Sequence, residues 1–356
     1  MKLPLLKPAP DIERFKKTVL GEITPQRPPF AELFLDEGMV KLIGEKLMGL
    51  HWAEPVDLQS RKAYWDFKIK VYHALGYDYL WVFGAPAFPV KPRSGRGGGR
   101  IWAETNKGPI QSFEDFYDYP WPSLTDEMLW HYYYVSEHLP DGMGMFVANG
   151  DGFLEIVTNF LIGYESMCFM LYDNPDLVNA VVDKVGGIIF DSCVKMLEIP
   201  RSSGVFMGDD MGFNSSMLFS ADFYRRLILP WHKKLAKAVH NRTQLYMLHS
   251  CGKIDEIMPD LICNVGIDAK HSFQAGYYDV CDYKRKYGKE IAILGGVDVD
   301  MLCRLDEASL RKYVRTILDI CAPDGRYALG TGNSVTDYIP LRNYLAMLDE
   351  GLKFSL

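Results

Sequence analysis

The feature that most constrains this chain is a rhythm. A short apolar run is followed by polar or glycine residues and then by a long amphipathic stretch, and the unit recurs. The runs are YLWVFG (79–84), MFVANG (145–150), GVFMGDD (204–210), QLYMLHSCG (244–252), GIDAKHSF (266–273), IAILGGVD (291–298) and RYALGTGN (326–333). A strand buried on both faces reads as a continuous apolar run, and parallel strands need crossover helices. The pattern therefore predicts an α/β chain. Seven visible runs fit a (β/α)8 TIM barrel with one strand missed better than a small doubly wound sheet. Such a barrel gathers the carboxyl ends of its strands at one mouth, where active sites are built.

Helix signals agree with this reading. Asn174-Pro175 has the form of an N-cap followed by proline, opening a helix to about 199. Ser220 and Asp306 are caps of the same kind, and Pro340 opens a last helix over 340–352. Phe223, Leu227, Trp231 and Leu235 recur every four residues as a core-facing stripe, with Pro230 set to kink it. Residues 1–60 contain no strand run and one helix pattern near 37–49, so they read as a helical extension packed on a barrel of residues 61–356. The stretch 93–125 breaks the rhythm. Its RSGRGGGR segment (93–100) lacks the Lys-Ser/Thr ending of a phosphate loop, and 101–110 has the look of a hairpin.

Composition narrows the partners. With 46 acidic against 39 basic residues among 356, the net charge of −7 disfavours nucleic acid or an anionic membrane as the main partner. No stretch approaches the roughly 20 apolar residues of a membrane span, and the first residues lack a secretory apolar run. Seven cysteines without CxxC spacing read as reduced thiols, the usage of a cytoplasmic protein.

The sharpest chemical feature is His249-Ser250-Cys251-Gly252, which ends a strongly apolar strand. Residues two apart on a strand point the same way, so His249 and Cys251 share a side. An imidazole and a thiolate together suit zinc, although two ligands are too few. From spacing alone, a packed imidazole beside a buried thiol is the alternative. Other polar residues also end strands: Asn149 after MFVA, Asp209 and Asp210 after GVFMG, His271 after IDAK, Asp298 after ILGGV, and Thr331 and Asn333 around YALG. Carboxylates there are unfavourable unless paired or functional. Asp209 and Asp210 are accordingly the first candidates for a metal ligand or an acid/base group, against a capping role. Glu155 follows on the next helical stretch, near enough to the mouth to act. Asn149, His271, Asp298, Thr331 and Asn333 are expected to contact substrate.

The segments GDDMGFNSSMLFSADFYRRLILPWHKKL, MLHSCGKIDEIMPDLICNVGIDAKHSF, GGVD and YALGTGNSVTDYIPLRNYLAML, in that order and spacing over roughly 200–356, resemble the uroporphyrinogen decarboxylase superfamily. The match extends more loosely from about residue 60. The resemblance implies a (β/α)8 barrel, often paired as a homodimer, with one of two chemistries. One is decarboxylation of uroporphyrinogen without a cofactor. The other is zinc-assisted methyl transfer involving a corrinoid carried by a partner protein.

Three departures count against decarboxylation. The family's Arg-rich N-terminal segment is RPPFAELFLDEG (27–38) here, with only Arg27; its first-strand Asp is absent from YLWVFGAP; and its last-strand LGHG histidine is Thr331. His249 and Cys251 match the methyltransferases' His-x-Cys zinc motif. Their third ligand, a last-strand Cys, is again Thr331, so the resemblance requires another ligand: Asp209, Asp210, Glu155 and His271, in that order. The expectation is an enzyme that moves a methyl group from a small O- or N-methylated substrate to a corrinoid protein. A metal-free lyase and a barrel that only binds a ligand are the alternatives.

Overall fold

The computed structural model describes residues 2–5, 7–89, 107–274, 276 and 278–356. The Gly/Arg run 93–100 and most of the expected hairpin 101–110 lie outside them. Seven parallel strands form one sheet in sequential order: β1 (Tyr79–Phe83), β2 (Gly144–Ala148), β3 (Ser202–Gly208), β4 (Leu245–His249), β5 (Ala269–His271), β6 (Ala292–Leu294) and β7 (Tyr327–Ala328). Each overlaps one of the seven apolar runs, β2 and β3 starting one and two residues before theirs. Helices lead from strand to strand, as parallel pairing requires. No single helix among the described residues is long and apolar enough to cross a membrane.

Side chains alternate across the curled sheet as the period of two dictates. On β4, Tyr246 and Leu248 face the helices, whereas Leu245 and Met247 join an inner cluster. The inner cluster is uneven. β1–β3 supply rings, namely Tyr79, Trp81, Phe146 and Phe206, while β5–β7 supply Ala269, Ala292, Leu294 and Ala328. The helix Ile12–Leu20 adds Phe15 and Val19 from the amino-end side, and Phe15 packs edge-on against Tyr79 at 5.1 Å.

Expected helices are present with their caps. Asn174 Oδ1 accepts the Leu177 amide at the start of Pro175–Met196, Ser220 Oγ accepts the Phe223 amide, and Asp306 Oδ1 accepts the Ser309 amide before Glu307–Cys321. The stretch around Pro230 is interrupted, with a π turn over Tyr224–Ile228 preceding Leu229–His240. Proline has no N–H to continue the i→i−4 ladder there.

Residues 30–35, part of the extension that carries no strand run, fill a position beside the sheet. Phe30 bridges Leu329 and Leu35 bridges Val335, both in parallel sense. The Ala31 amide donates to Leu329 O at 2.8 Å, and Ala31 and Leu33 join the inner cluster. This segment thus runs along the β7 edge, where an eighth strand would lie. On the β1 side, Tyr79 Oη donates to Glu32 O at 2.7 Å, and Tyr72 Oη accepts the Leu35 amide at 2.9 Å.

Glu32 is carried into the interior by this segment and is 1% exposed. Its carboxylate accepts the amide and the hydroxyl of Thr331, at 2.7 and 2.5 Å. Burial pushes its carboxyl from 4.5 up to about 8, with the two Thr331 bonds pulling the other way. Between those values the folded chain keeps a proton that the unfolded chain has lost. This group's contribution to stability therefore falls as pH rises through that window, by up to about 1.4 kcal/mol per unit. Denaturation midpoints measured from pH 5 to 8 should show wild type losing ground to Glu32→Gln as pH rises. A stability difference that stays flat with pH would contradict the buried-acid assignment.

Candidate functional site

The sheet register places the site. Gly208 of β3 lies beside His249 of β4, and His249 lies beside His271 of β5. The chain after β3 and the chain after β4 then stay in contact: the Asp209 amide donates to His249 O at 2.9 Å, and Gly212 N to Cys251 O at 3.2 Å. Asp209 and Asp210, being adjacent, point to opposite sides.

Asp209 turns inward and is fully buried. Its carboxylate accepts the amides of Leu154 and Glu155 at 3.0 and 3.1 Å and the His232 Nε2–H at 2.9 Å. Tyr246 Oη lies 2.6 Å from the other ring nitrogen of His232. The carboxylate therefore tethers the helix start after β2, where the amides have no helical partner. Gly152 makes this approach feasible, since a Cβ there would sit 2.3 Å from Asp209 Cβ. The expectation that Asp209 is the leading ligand or acid is corrected. Its carboxylate is held by three donors from two separate elements.

Asp210 takes the opposite direction. Its side chain is 36% exposed, and Oδ1 accepts the Cys251 amide at 2.7 Å. The same oxygen lies 3.7 Å from His249 Nε2, which in turn lies 3.4 Å from Cys251 Sγ. One donor atom from each of Asp210, His249 and Cys251 falls within 4.8 Å of the others, the one group of three such donors among the described residues. Ligands at zinc bond lengths are roughly 3.5 Å apart in a tetrahedral site; nitrogen, sulfur and oxygen suit that ion in kind, and the 3.4 and 3.7 Å separations from His249 Nε2 are close to that spacing. Asn333 Nδ2 donates to Cys251 Sγ at 3.5 Å. Glu155 accepts the Asp210 amide. Its carboxyl is held well above the usual range by burial and by the neighbouring carboxylates of Asp210, Asp209 and Asp151.

Four of the expected substrate contacts lie elsewhere. His271 is fully buried behind His249, with the two Nδ1 atoms 2.7 Å apart and its Nε2 3.1 Å from Thr331 O. Thr331 is also fully buried, its hydroxyl turned to Glu32 and to Asn333 O. Asp298 caps the helix Val299–Arg304 by accepting the Met301 amide at 3.0 Å. Asn149, 5% exposed, turns its amide nitrogen to Ala85 O at 2.9 Å. The contacts described for these groups run to backbone, to the Glu32 carboxyl and, for His271, to the His249 ring. Only Asn333 of the five reaches the cluster.

Burial sets the site's electrostatics. It lowers His249 to about 3 and raises the Cys251 thiol, with Asp210 adding to the latter. Lys270, missed by the sequence reading, is fully buried on β5. Its ammonium donates to Ser272 O at 2.8 Å and faces the rings of Phe273, Tyr278 and Tyr283 at 4.5, 5.5 and 5.5 Å. Burial brings it down to about 7, against the pull of Cys251 and Asp210. A lysine inside the apolar run GIDAKHSF was its visible signal. Glu32 had the same signal, a single acid within PPFAELFL.

The two aspartates should separate on mutation. Asp209→Asn should lower stability by about 2–3 kcal/mol, because a buried anionic acceptor loses its match to three donors. Asp210→Asn should stay within about 1 kcal/mol of wild type. Guanidinium denaturation of both variants reads this, and equal losses would overturn the assignment of roles.

A model of the uroporphyrinogen decarboxylase (URO-D) family matches residues 157–352, more than half of the chain. The methylated-thiol–coenzyme M methyltransferase of Methanosarcina mazei is 27% identical over 191 residues, 53% of this chain and 48% of that protein. The match thus spans about half the length of that relative. Among solved structures, a methyltransferase from Methanosarcina mazei superposes with a TM-score of 0.71 over 97% of this chain and 99% of its own, at 15% identity. A Listeria monocytogenes protein described as a candidate vitamin-B12 independent methionine synthase gives 0.53 over 93% and 98%, at 11% identity. At such identities these likenesses bear on the fold, while the sequence relative is a methyltransferase. The chain is a member of the uroporphyrinogen decarboxylase family, with methyltransferases among its relatives.

Proposed function

We propose that this protein is a zinc-assisted methyltransferase that takes a methyl group from a small O- or N-methylated substrate and delivers it to a corrinoid carried by a partner protein. The observation that carries the reading is the convergence of Asp210, His249 and Cys251 within 4.8 Å at the strand ends. It is further supported by membership of the family and by the methyltransferase relative. The corrinoid partner rests on the resemblance to the corrinoid-dependent branch.

Asp210, His249 and Cys251 are the residues that would hold zinc. Bound there, the ion would serve as a Lewis acid toward the substrate heteroatom as the methyl group leaves. Thr331, which stands where the resembled enzymes have a third ligand, has its hydroxyl committed to Glu32 and Asn333. The Asp210 carboxylate is the replacement donor in this reading. One carboxylate and one thiolate give less electron density than two thiolates, which favours polarising an ether or amine over activating a thiol. Asn333 holds the Cys251 sulfur through its amide, and Glu155 fixes the backbone of Asp210. Phe83, 39% exposed and stacked on Trp81 at 4.0 Å, offers an apolar ring at the carboxyl end of β1.

Metal content of the purified untagged chain tests the centre. About one zinc per chain is expected in wild type, and little in Cys251→Ser or Asp210→Asn. The donor is tested by supplying methoxy, methylamino and methylthio compounds with a Co(I) corrinoid and following its methylation. Turnover of methoxy or methylamino compounds supports the donor assignment. Turnover of methylthio compounds alone overturns it, and absence of zinc from wild type overturns the metal centre.

A further inference from the structure

The geometry points to a buried relay, Glu32–Thr331–His271, that fixes the His249 ring with its Nε2 lone pair aimed at Asp210 and Cys251. The inference deepens the proposed metal centre and rests on that reading for its purpose, though not for its geometry. It makes Glu32, from the segment that runs along the β7 edge, a positioning residue for a site on β3 and β4.

The Thr331 carbonyl can only accept. It takes the Gly296 amide at 3.2 Å and the His271 Nε2 at 3.1 Å, so His271 carries its hydrogen on Nε2. His271 is fully buried, and among the described residues its ring nitrogens meet that carbonyl and His249. A neutral imidazole carries one hydrogen, here on Nε2. Its Nδ1 is then an acceptor. The His249 Nδ1, 2.7 Å away, must supply the hydrogen between the two rings. That leaves His249 Nε2 bare, 3.4 Å from Cys251 Sγ and 3.7 Å from Asp210 Oδ1. A ring nitrogen that is to bind a metal needs this tautomer, and the hydrogen bond on its other nitrogen selects it.

The relay has a fixed origin. Glu32 binds Thr331 through both amide and hydroxyl, which sets the backbone orientation that points the Thr331 carbonyl at His271. Gly295 leaves room for that carbonyl; a Cβ there would sit 2.1 Å from Thr331 O and 3.0 Å from His271 Nε2. Thr331 therefore acts through its main chain, at the position where the resembled methyltransferases use a cysteine side chain.

The test uses the whole chain, with ¹⁵N-labelled histidine and two variant pairs. His271→Phe removes both ring nitrogens, and His271→Gln restores one acceptor and one donor. Glu32→Ala removes both oxygens that meet Thr331, and Glu32→Gln restores a carbonyl for the Thr331 amide. Long-range ¹H–¹⁵N spectra of the metal-free protein read the His249 tautomer, assigned by the signal lost in His249→Gln. Zinc affinity is read separately, by competition with a chromophoric chelator. Wild type should show the Nδ1–H form of His249. His271→Phe and Glu32→Ala should disturb it and weaken zinc binding roughly 10- to 100-fold, with substantial recovery in the Gln variants. An Nε2–H form in wild type, or an unchanged His249 signal and zinc affinity in His271→Phe, overturns the relay. The His271 pair decides alone if Glu32→Ala does not fold. The Nδ1–H form in a wild-type chain that takes up no zinc supports the relay and rejects the metal centre, so the two failures are distinct.

Discussion

A carboxylate buried at the end of an apolar strand is tolerable only when donors surround it, and Asp209 organises the mouth by meeting that requirement. Two amides of the helix start after β2, together with the His232 ring, close on it from separate elements. Because successive residues on an extended chain face opposite ways, fixing Asp209 inward turns Asp210 outward. The free acid of the site is thus set by its immobilised neighbour. The same contact brings Glu155 and the helix start after β2 to the β3–β4 end, where Asp210, His249 and Cys251 converge.

The second organising contact comes from outside the repeating strand-helix unit. Residues 30–35 run along the exposed edge of β7, and an edge with unpaired amides and carbonyls is the weak point of any open sheet. Glu32 enters with this segment and grips Thr331. Sheet edge and site interior are therefore joined through one residue. The bonds of Tyr72 and Tyr79 to the same segment fasten it on the β1 side.

The strands and their order were legible because burial on both faces writes itself as an unbroken apolar run. Each of the seven strands overlaps one of the seven runs. The capped helices were legible for a local reason, since a cap and its amide are three residues apart. His249 and Cys251 were visible because two residues on one strand face one way. What escaped was long-range. Whether Asp209 or Asp210 faces inward depends on which donors lie across a strand gap, and His232 is 23 residues away. Glu32 and Thr331 are 299 residues apart. His271, Asp298 and Asn149 end strands as polar residues do in a working mouth, yet their bonds go to neighbouring backbone or, for His271, also to a second ring. Polar type at a strand end marks a candidate; only the partners distinguish a bracing group from one that meets a ligand.

The uneven interior has a consequence for how such a chain can change. Tyr79, Trp81, Phe146 and Phe206 fill the inner space from one half of the sheet, and Ala269, Ala292 and Ala328 leave room from the other. Shrinking a ring opens a hole that the alanine side cannot reach, and enlarging an alanine drives it into a ring. Exchanges across the interior conserve volume only when made together, so their effects are non-additive. Drift in this layer is consequently expected in correlated pairs, a ring lost on one side with bulk gained opposite. The accessible histories of this inner layer are narrower than the freedom of each position alone would allow.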